Sequence, residues 1–407
     1  MTSPNKKLSN HYRLLMALIN ARRRGCKKLL LSRAWLCALF LFISLIVHKK
    51  SKVHYRSLMF RNDETPEDEC DCNKILQGDP DEIKHAKILT ITKNFKNITQ
   101  ITDEQYVKQT EDCETFLRTR KYIPFPMSVE EEAFPVAYSI IVHHKVQNFE
   151  RLLRSIYSPL NLYCIHVDKK ATQSTKKAIN AIVSCIENVF LASQIEEVVY
   201  ASWSRVQADI NCMKDLYQVS SRWKYFINLC GQDFPIKTNL EIVHALKALA
   251  GANSLETEIT PPNKMYRWKK KPPIDKWHNP DNQPRQKSAT IWYKDIHSPD
   301  ELIWATLQRI PGVPGFLRSH PKYDITDIYS ISRLIKWAAH EGSLDALYPA
   351  CQGIHIRNVC VYGVGDLQWI LKQRHMFANK FDTDFDPIVI RCLEKYLRHK
   401  ALKSIIN

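Results

Sequence analysis

From Pro135 onward, short apolar runs rich in β-branched and aromatic residues alternate with segments of helical periodicity. Val136-Ala-Tyr-Ser-Ile-Ile-Val142 predicts a strand, and residues 149–157 predict a helix. Leu162-Tyr-Cys-Ile-His-Val167 predicts a second strand, ending at Asp168, with a helix at 170–185. A strand at 197–200, a helix at 204–218 and a strand at Tyr225-Phe-Ile-Asn-Leu-Cys230 continue the alternation. These strands are apolar almost throughout, the pattern of parallel strands covered on both faces. The succession predicts an α/β fold. Upstream, residues 81–92 and 103–122 carry helical periodicity mixed with charge, and residues 331–337 read as a later amphipathic helix. No internal repeat or low-complexity tract interrupts the chain.

One apolar run has a different character. Ala34-Trp-Leu-Cys-Ala-Leu-Phe-Leu-Phe-Ile-Ser-Leu-Ile-Val47 contains no charge. It is shorter than the ~20 residues a typical bilayer asks for, but Leu29–Leu31 extend it if Arg33 snorkels to the interface. A cleaved leader would start nearer Met1 and would show an Ala-x-Ala site after Val47. The run is therefore read as a signal anchor. The expected organisation is a cytoplasmic tail at 1–33, a transmembrane anchor at 34–48, a stem and amino-terminal lumenal segment at 49–130, and a catalytic domain at 131–407.

Charge agrees with that division. The net charge of +17 over 407 residues would suit a nucleic-acid binder if it were spread along the chain. Instead, residues 1–61 hold fourteen Lys or Arg and no Asp or Glu, leaving 45 basic against 42 acidic residues in the remainder. Basic residues before an apolar segment favour a cytoplasmic amino terminus, and a nucleic-acid partner is not expected. Of twelve cysteines, ten follow the anchor, which fits an oxidising compartment. No CxxC pair and no His at zinc spacing accompanies them. Asn97-Ile-Thr99 is a glycosylation sequon open to use in a lumenal chain.

Open α/β sheets bind ligands beyond the carboxyl ends of their strands, which makes Asp168 a candidate for a ribose or base contact. A helix N-cap is the competing role for that residue. GxGxxG is absent, and Gly363-Val-Gly365 is too short to replace it, so a nicotinamide cofactor is disfavoured. Later in the chain lie Ser298-Pro-Asp-Glu301-Leu-Ile-Trp304, Arg357 between Cys351 and Cys360, and Lys380. A carboxylate able to take a proton, with two cations, is the equipment for breaking a sugar–diphosphate bond. Singly, such residues are usually solvated surface charges. Asp382-Thr-Asp384-Phe-Asp386 contains the DxD pattern of metal-dependent glycosyltransferases but follows the late cation block rather than an early strand, so no metal site is assigned to it. Glu256 and Glu258, two apart, would share a face only in a strand, which Gly251 and Pro261 disfavour. Arg205 is expected in an ion pair at the head of a helix, Cys230 as an inert thiol in an apolar strand, and His143 either in a ligand pocket or as a buried hydrogen-bonded residue.

Several longer blocks carry a resemblance. Tyr138-Ser-Ile-Ile-Val-His-His-Lys145, Val199-Tyr-Ala-Ser-Trp-Ser-Arg-Val-Gln-Ala-Asp209, Asn228-Leu-Cys-Gly-Gln-Asp-Phe-Pro-Ile-Lys-Thr-Asn239, residues 298–308 and residues 353–380 resemble the β-1,6-N-acetylglucosaminyltransferases that build core 2 and I branches on glycans. The likeness runs from about Cys72 to the end. It implies a GT-A-like, Rossmann-type nucleotide-sugar fold, UDP-N-acetylglucosamine as donor, inversion, no cofactor and no divalent metal. It also implies a Golgi membrane protein of type II with a lumenal catalytic domain, acting on a glycan or glycoprotein acceptor; whether the chain forms a homodimer stays open.

By resemblance, Ile141, Val142, His143, Asp168, Lys169, Lys170 and Tyr200 would line the UDP pocket, with Arg357 and Lys380 on the diphosphate and Glu301 as general base. Glu256, Lys264, Arg267 and Lys322 would contact the acceptor, and Trp337 would pack on a sugar face, with core packing as its alternative. The resemblance further pairs Cys72 with Cys392, Cys113 with Cys185, Cys164 with Cys212 and Cys351 with Cys360, leaving Cys230 free and Cys70 unassigned. The chain departs from the family pattern on the acceptor side. The stretch between Trp268 and Asp295 is short, lacking a Gly-Ser-rich strand and the helix after it, and Ala339 stands where an aromatic is expected. A non-catalytic UDP-sugar-binding or partner protein is therefore the alternative function.

Overall fold

The computed structural model describes residues 69–92, 100–255, 266–267, 296–308, 310–313, 316, 330–342 and 346–404. The chain divides into two units, Met1–Glu67 and Asp68–Asn407, and every described residue falls in the second. The expected membrane anchor, Asn97, Glu256, Lys264 and Lys322 lie outside the described residues. Among the described residues, no helix is long and apolar enough to cross a membrane.

Four parallel strands form the main sheet in the order β3-β2-β1-β4: β1 is Val136–Val142, β2 Leu162–Val167, β3 Val189–Leu191 and β4 Tyr225–Cys230. All seven residues of β1 are buried. Helices Val146–Ile156, Gln173–Ser184 and Trp203–Val219 make the crossovers that parallel pairing requires. Leu152, Leu153 and Ile156 of the first helix and Ile179 and Ile182 of the second are fully buried, so apolar helix faces close over the sheet. This is a mixed α/β architecture with a parallel sheet, consistent with a GT-A-like fold.

Two smaller sheets complete the carboxyl-terminal half. β5 (Asp233–Pro235), β9 (Phe377–Asn379) and β6 (Arg333–Ile335) are ordered β5-β9-β6, and β7 (Ile354–Ile356) pairs with β8 (Val359–Val361) as a hairpin. Four disulfides join Cys72 to Cys392, Cys113 to Cys185, Cys164 to Cys212 and Cys351 to Cys360. The first clips helix Cys72–Gln77 to helix Pro387–Lys403 across 320 residues of sequence. Cys230 is a free thiol raised above its ordinary pKa by burial and by Asp233, and buried Cys70 takes a hydrogen bond from Arg391 at 2.9 Å.

Three expectations need correction. Residues 197–200 form no strand; the third strand is Val189–Leu191, and Val199 and Tyr200 are 51% and 72% exposed on a loop. Residues 331–337 form β6 and its exit rather than a helix, because Leu334 and Lys336 turn inward while β6 pairs with β9. The 103–122 helix breaks into Asp103–Gln109 and Cys113–Thr119, the second started by the Asp112 side chain accepting from the Thr115 amide.

Beneath the fold lies a buried ionic cluster. Glu150 is fully buried and accepts from Arg120 Nε and Arg154 Nε, each at 3.1 Å. Despite burial, these guanidinium groups hold the Glu150 carboxyl down to about 2. Arg151 and Arg154 reach on to Glu394 of the last long helix at 2.6 and 2.9 Å.

Candidate active site

The carboxyl ends of β1, β2 and β4 lie side by side. Val142 O accepts from the Asp168 amide at 2.8 Å, and Ile141 O accepts from the Gly231 amide at 3.1 Å. Ile141 and Val142 are buried in β1, so what they offer a ligand is the strand end, and His143 is the first exposed residue beyond it. His143 stacks on His144 with ring centroids 3.8 Å apart. Partial burial and His144 lower its pKa. It is not the enclosed hydrogen-bonded histidine that one of the two expectations described.

Asp168 is 4% exposed, and its carboxylate accepts from the Lys170 amide at 2.8 Å and from the Val198 amide at 3.4 Å. The cap of the following helix is Thr172, so the N-cap role for Asp168 is incorrect. Asp168 instead ties the turn after β2 to the 196–200 loop. Lys169 is exposed and donates its amide to Glu196 O, while Lys170 Nζ donates to Val198 O at 2.7 Å. His166 Nε2 accepts from the Glu196 amide at 2.8 Å, and Asp215 accepts from Ser193 through both amide and hydroxyl. Residues 196–200 are therefore a loop held over the sheet edge by side chains of β2 and helix Trp203–Val219.

That loop meets the cations. β7 and β8 turn at Arg357 and Asn358, whose φ values are 52° and 62°. Two successive positive φ values make the mirror-image turn that suits hairpin twist. A left-handed conformation is uncommon for Arg, and here the two-residue turn between β7 and β8 imposes it. The Arg357 guanidinium lies over the Tyr200 ring, 4.5 Å from its centroid. Lys380 donates its amide to Cys360 O at 3.3 Å and accepts at its own carbonyl from the Tyr362 amide at 2.9 Å. Both cations are thus mounted on one unit, Arg357 at the tip of the hairpin and Lys380 beside its second strand. Among the described residues neither makes an ion pair with a carboxylate. The Cys351–Cys360 disulfide closes the base of the hairpin, and Gly353 is required there, since a Cβ would lie 1.9 Å from Val361 O.

A buried pair that the sequence did not announce underpins this unit. Lys336 and Asp366 are 0% and 2% exposed and bridge at 2.8 Å. Asp366 also accepts from the Gln352 and Gly363 amides, and Lys336 O accepts from the Cys360 amide. A charged pair without solvent, locked into backbone hydrogen bonds, fixes the hairpin's orientation. Lys336 lies outside the blocks that carry the resemblance and Asp366 inside one, and only the three-dimensional arrangement reveals that they pair.

Glu301 ends a short 3-10 turn, Pro299–Glu301, whose preceding residue Ser298 donates its amide to Ala201 O at 2.8 Å. Ile296 and Ile303 flank this turn and pack with Val206 of helix Trp203–Val219, which anchors it. One corner, Tyr200-Ala201, therefore contacts both the Arg357 tip and the Glu301 turn. Glu301 is half exposed and bonded to Arg267, so the expected base and one expected acceptor contact adjoin. Asp300 is pushed above its ordinary pKa by burial and by Glu301, while Arg205 opposes the shift. Arg205 itself pairs with Asp209 at 3.7 Å, four residues along its helix, in the ion-pair role expected of it. Trp337 is half-buried beyond β6, bridged to Val359, and Ala338 donates its amide to Asn358 O at 2.9 Å.

The acidic run after Lys380 is occupied by structural contacts. Asp382 and Asp384 both bind Lys145, the latter at 2.9 Å. Asp386 caps helix Pro387–Lys403 and accepts from the Val364 amide at 2.9 Å; burial raises its pKa to about 6.

The edge of the parallel α/β sheet thus brings the half-exposed Glu301 carboxylate and the Arg357 cation to one corner, Tyr200-Ala201. The family model described as Core-2/I-Branching enzyme matches residues 136–286, the segment from β1 through the loop after β4 and beyond. A Homo sapiens protein named beta-1,3-galactosyl-O-glycosyl-glycoprotein beta-1,6-N-acetylglucosaminyltransferase is 47% identical over 404 residues, covering 90% of this chain and 94% of its own. A Bos taurus protein of the same name is 49% identical over 399 residues, 89% and 93% of the two chains. One from Bovine herpesvirus 4 is 47% identical over 384 residues, 86% and 87%. The chain belongs to the Core-2/I-branching enzyme family.

Proposed function

We propose that this protein transfers N-acetylglucosamine from UDP-N-acetylglucosamine, in β-1,6 linkage and with inversion, to a glycan acceptor of the O-glycan core 2 or I-branch type. The observation that carries the reading is the Tyr200-Ala201 corner, which adjoins both a diphosphate-suited cation and a half-exposed carboxylate. His143, Asp168, Lys169, Lys170 and Tyr200 would surround the nucleotide, at the strand ends where open α/β sheets bind ligands. Arg357 and Lys380 would take the charge that grows on the departing diphosphate, the guanidinium bidentately and the ammonium as a point charge. Glu301 would remove the proton of the attacking hydroxyl. Two fixed cations can serve where other transferases place a divalent ion, so no metal or cofactor is assigned.

Arg267 would hold the Glu301 carboxylate until the acceptor arrives, and it shares the acceptor side with Glu256, Lys264, Lys322 and Trp337. We further assign residues 1–33 to the cytoplasm, 34–48 to a Golgi membrane anchor, 49–130 to the stem and lumenal lead-in, and 131–407 to the catalytic domain. That assignment rests on the acid-free basic amino end and its uncharged apolar run. The Arg267–Glu301 pair favours a second reading, a UDP-sugar-binding protein whose base stays occupied. Incubating the secreted lumenal domain with labelled UDP-N-acetylglucosamine and a panel of O-glycan acceptors separates the two. Product with a β-1,6 linkage supports transfer; UDP binding without product supports the second reading.

A further inference from the structure

Asn358-Val359-Cys360 sets an amide and a thiol at the spacing of an N-glycosylation sequon, with sulfur where the hydroxyl of Ser or Thr usually stands. The third residue of a sequon serves as a hydrogen-bonding group, and a thiol fills that role more weakly than a hydroxyl. A cystine sulfur has no hydrogen to donate, so the triplet works while Cys360 is reduced. In the folded chain Cys360 is joined to Cys351, nine residues earlier. One disulfide therefore sets two states of the triplet.

Exposure divides the three residues. Asn358 is exposed at the tip of the β7–β8 hairpin, where its φ of 62° suits asparagine in a two-residue turn. A glycan attached there can point into solvent without disturbing the core. Val359 and Cys360 are 8% and 0% exposed, so a modifying enzyme has to read them before the hairpin folds. There is time for that reading. The ends of so short a loop meet within about 100 ns, whereas oxidation of the thiols takes seconds or longer. Modification and oxidation then compete for the same sulfur.

We propose that Asn358 is an N-glycosylation acceptor, open while Cys360 is a thiol and shut by the Cys351–Cys360 disulfide. The proposal rests on the lumenal placement given above and not on turnover. In the modifying step, Asn358 Nδ2 bonds to the anomeric carbon of an oligosaccharide carried on a polyisoprenyl diphosphate. The carbon–oxygen bond to the diphosphate breaks, the diphosphate leaves with the electron pair, and the amide loses one proton. In the competing step the two thiols give two electrons and two protons to a disulfide donor, which becomes a dithiol. Glycosylation first leaves a bulky chain one residue from Arg357. Disulfide closure first leaves the tip bare.

The test expresses the full-length chain in mammalian cells and reads occupancy at Asn97 and Asn358 separately, by peptide mapping after enzymatic glycan release. Expected occupancy at Asn358 is nil in Cys360→Ala, lower in the parent than in Cys351→Ser, and highest in Cys360→Thr, whose hydroxyl cannot be taken into a disulfide. A pulse of reductant during synthesis should raise the parent toward Cys351→Ser with no substitution at all. An empty Asn358 in Cys360→Thr, equal occupancy in the parent and Cys351→Ser, or no response to reductant would each overturn the proposal. Glycan missing from Asn97 as well as Asn358 in every chain would remove the lumenal placement with it.

Discussion

Arg357 holds its guanidinium 4.5 Å from the centre of the Tyr200 ring, at the tip of a hairpin whose base is closed by the Cys351–Cys360 disulfide. The contact joins an exposed loop from the amino-terminal half of the sheet to a cation from the carboxyl-terminal half, so neither half alone makes the site. A cation over an aromatic face keeps its hydrogen-bonding edge open, which leaves the guanidinium available to phosphate oxygens. Arg357→Ala and Lys380→Ala should therefore each weaken UDP by roughly 1.5–3 kcal/mol. Uridine, which has no diphosphate, should bind these variants as it binds the parent. Calorimetry with both ligands checks this, and an equal loss for uridine would place the cations elsewhere.

The buried cluster around Glu150 makes a prediction about stability alone. Glu150→Ala would leave Arg120 without its carboxylate in the interior, and Arg154 with Glu394 alone. The loss should be about 3–5 kcal/mol. Chemical denaturation of the lumenal domain measures it, and a change under about 1 kcal/mol would show that solvent reaches the cluster.

His375 sets a pH dependence. Its folded-state pKa is lowered from 6.5 to about 4 by burial, Arg374 and Lys237. Between those values the unfolded chain binds a proton that the folded chain refuses, so stability falls as pH drops through that window. The full contribution is about 3 kcal/mol, since one pKa unit is about 1.4 kcal/mol. Urea unfolding at pH 7 and pH 4.5 should show a smaller acid-side loss in His375→Gln than in the parent. An identical loss in both would mean that the ring is solvated.

Strands β1, β2 and β4 were legible because a parallel strand buried on both faces must be apolar throughout, as Val136–Val142 is. β3 and β6 were not, since three residues carry no period, and neighbouring runs misled in both directions. Val199 and Tyr200 have strand composition but sit exposed, held in place by His166, Asp168 and Lys170 rather than by a ladder. Residues 331–337 have helical spacing only because Lys336, a charged residue, is buried against Asp366. Of the site, the chemical types at Glu301, Arg357 and Lys380 were legible, yet their mutual placement depends on Tyr200, Ser298 and the Lys336–Asp366 pair. Those links are tertiary and leave no mark on local pattern. The same holds for Arg267, whose approach to Glu301 follows from folding and not from their separation in the chain.

The most direct measurement compares the parent lumenal domain with Glu301→Gln, each given UDP-N-acetylglucosamine and an O-glycan acceptor in EDTA. The amide keeps the shape of the carboxylate, including a site for Arg267, and loses its basicity. The account predicts β-1,6-linked product from the parent in EDTA, a fall of about 100-fold or more in the variant, and UDP affinity unchanged between them. Comparable turnover by the variant would remove Glu301 as the base, and parent activity abolished by EDTA and restored by manganese would contradict a transfer supported by Arg357 and Lys380 alone.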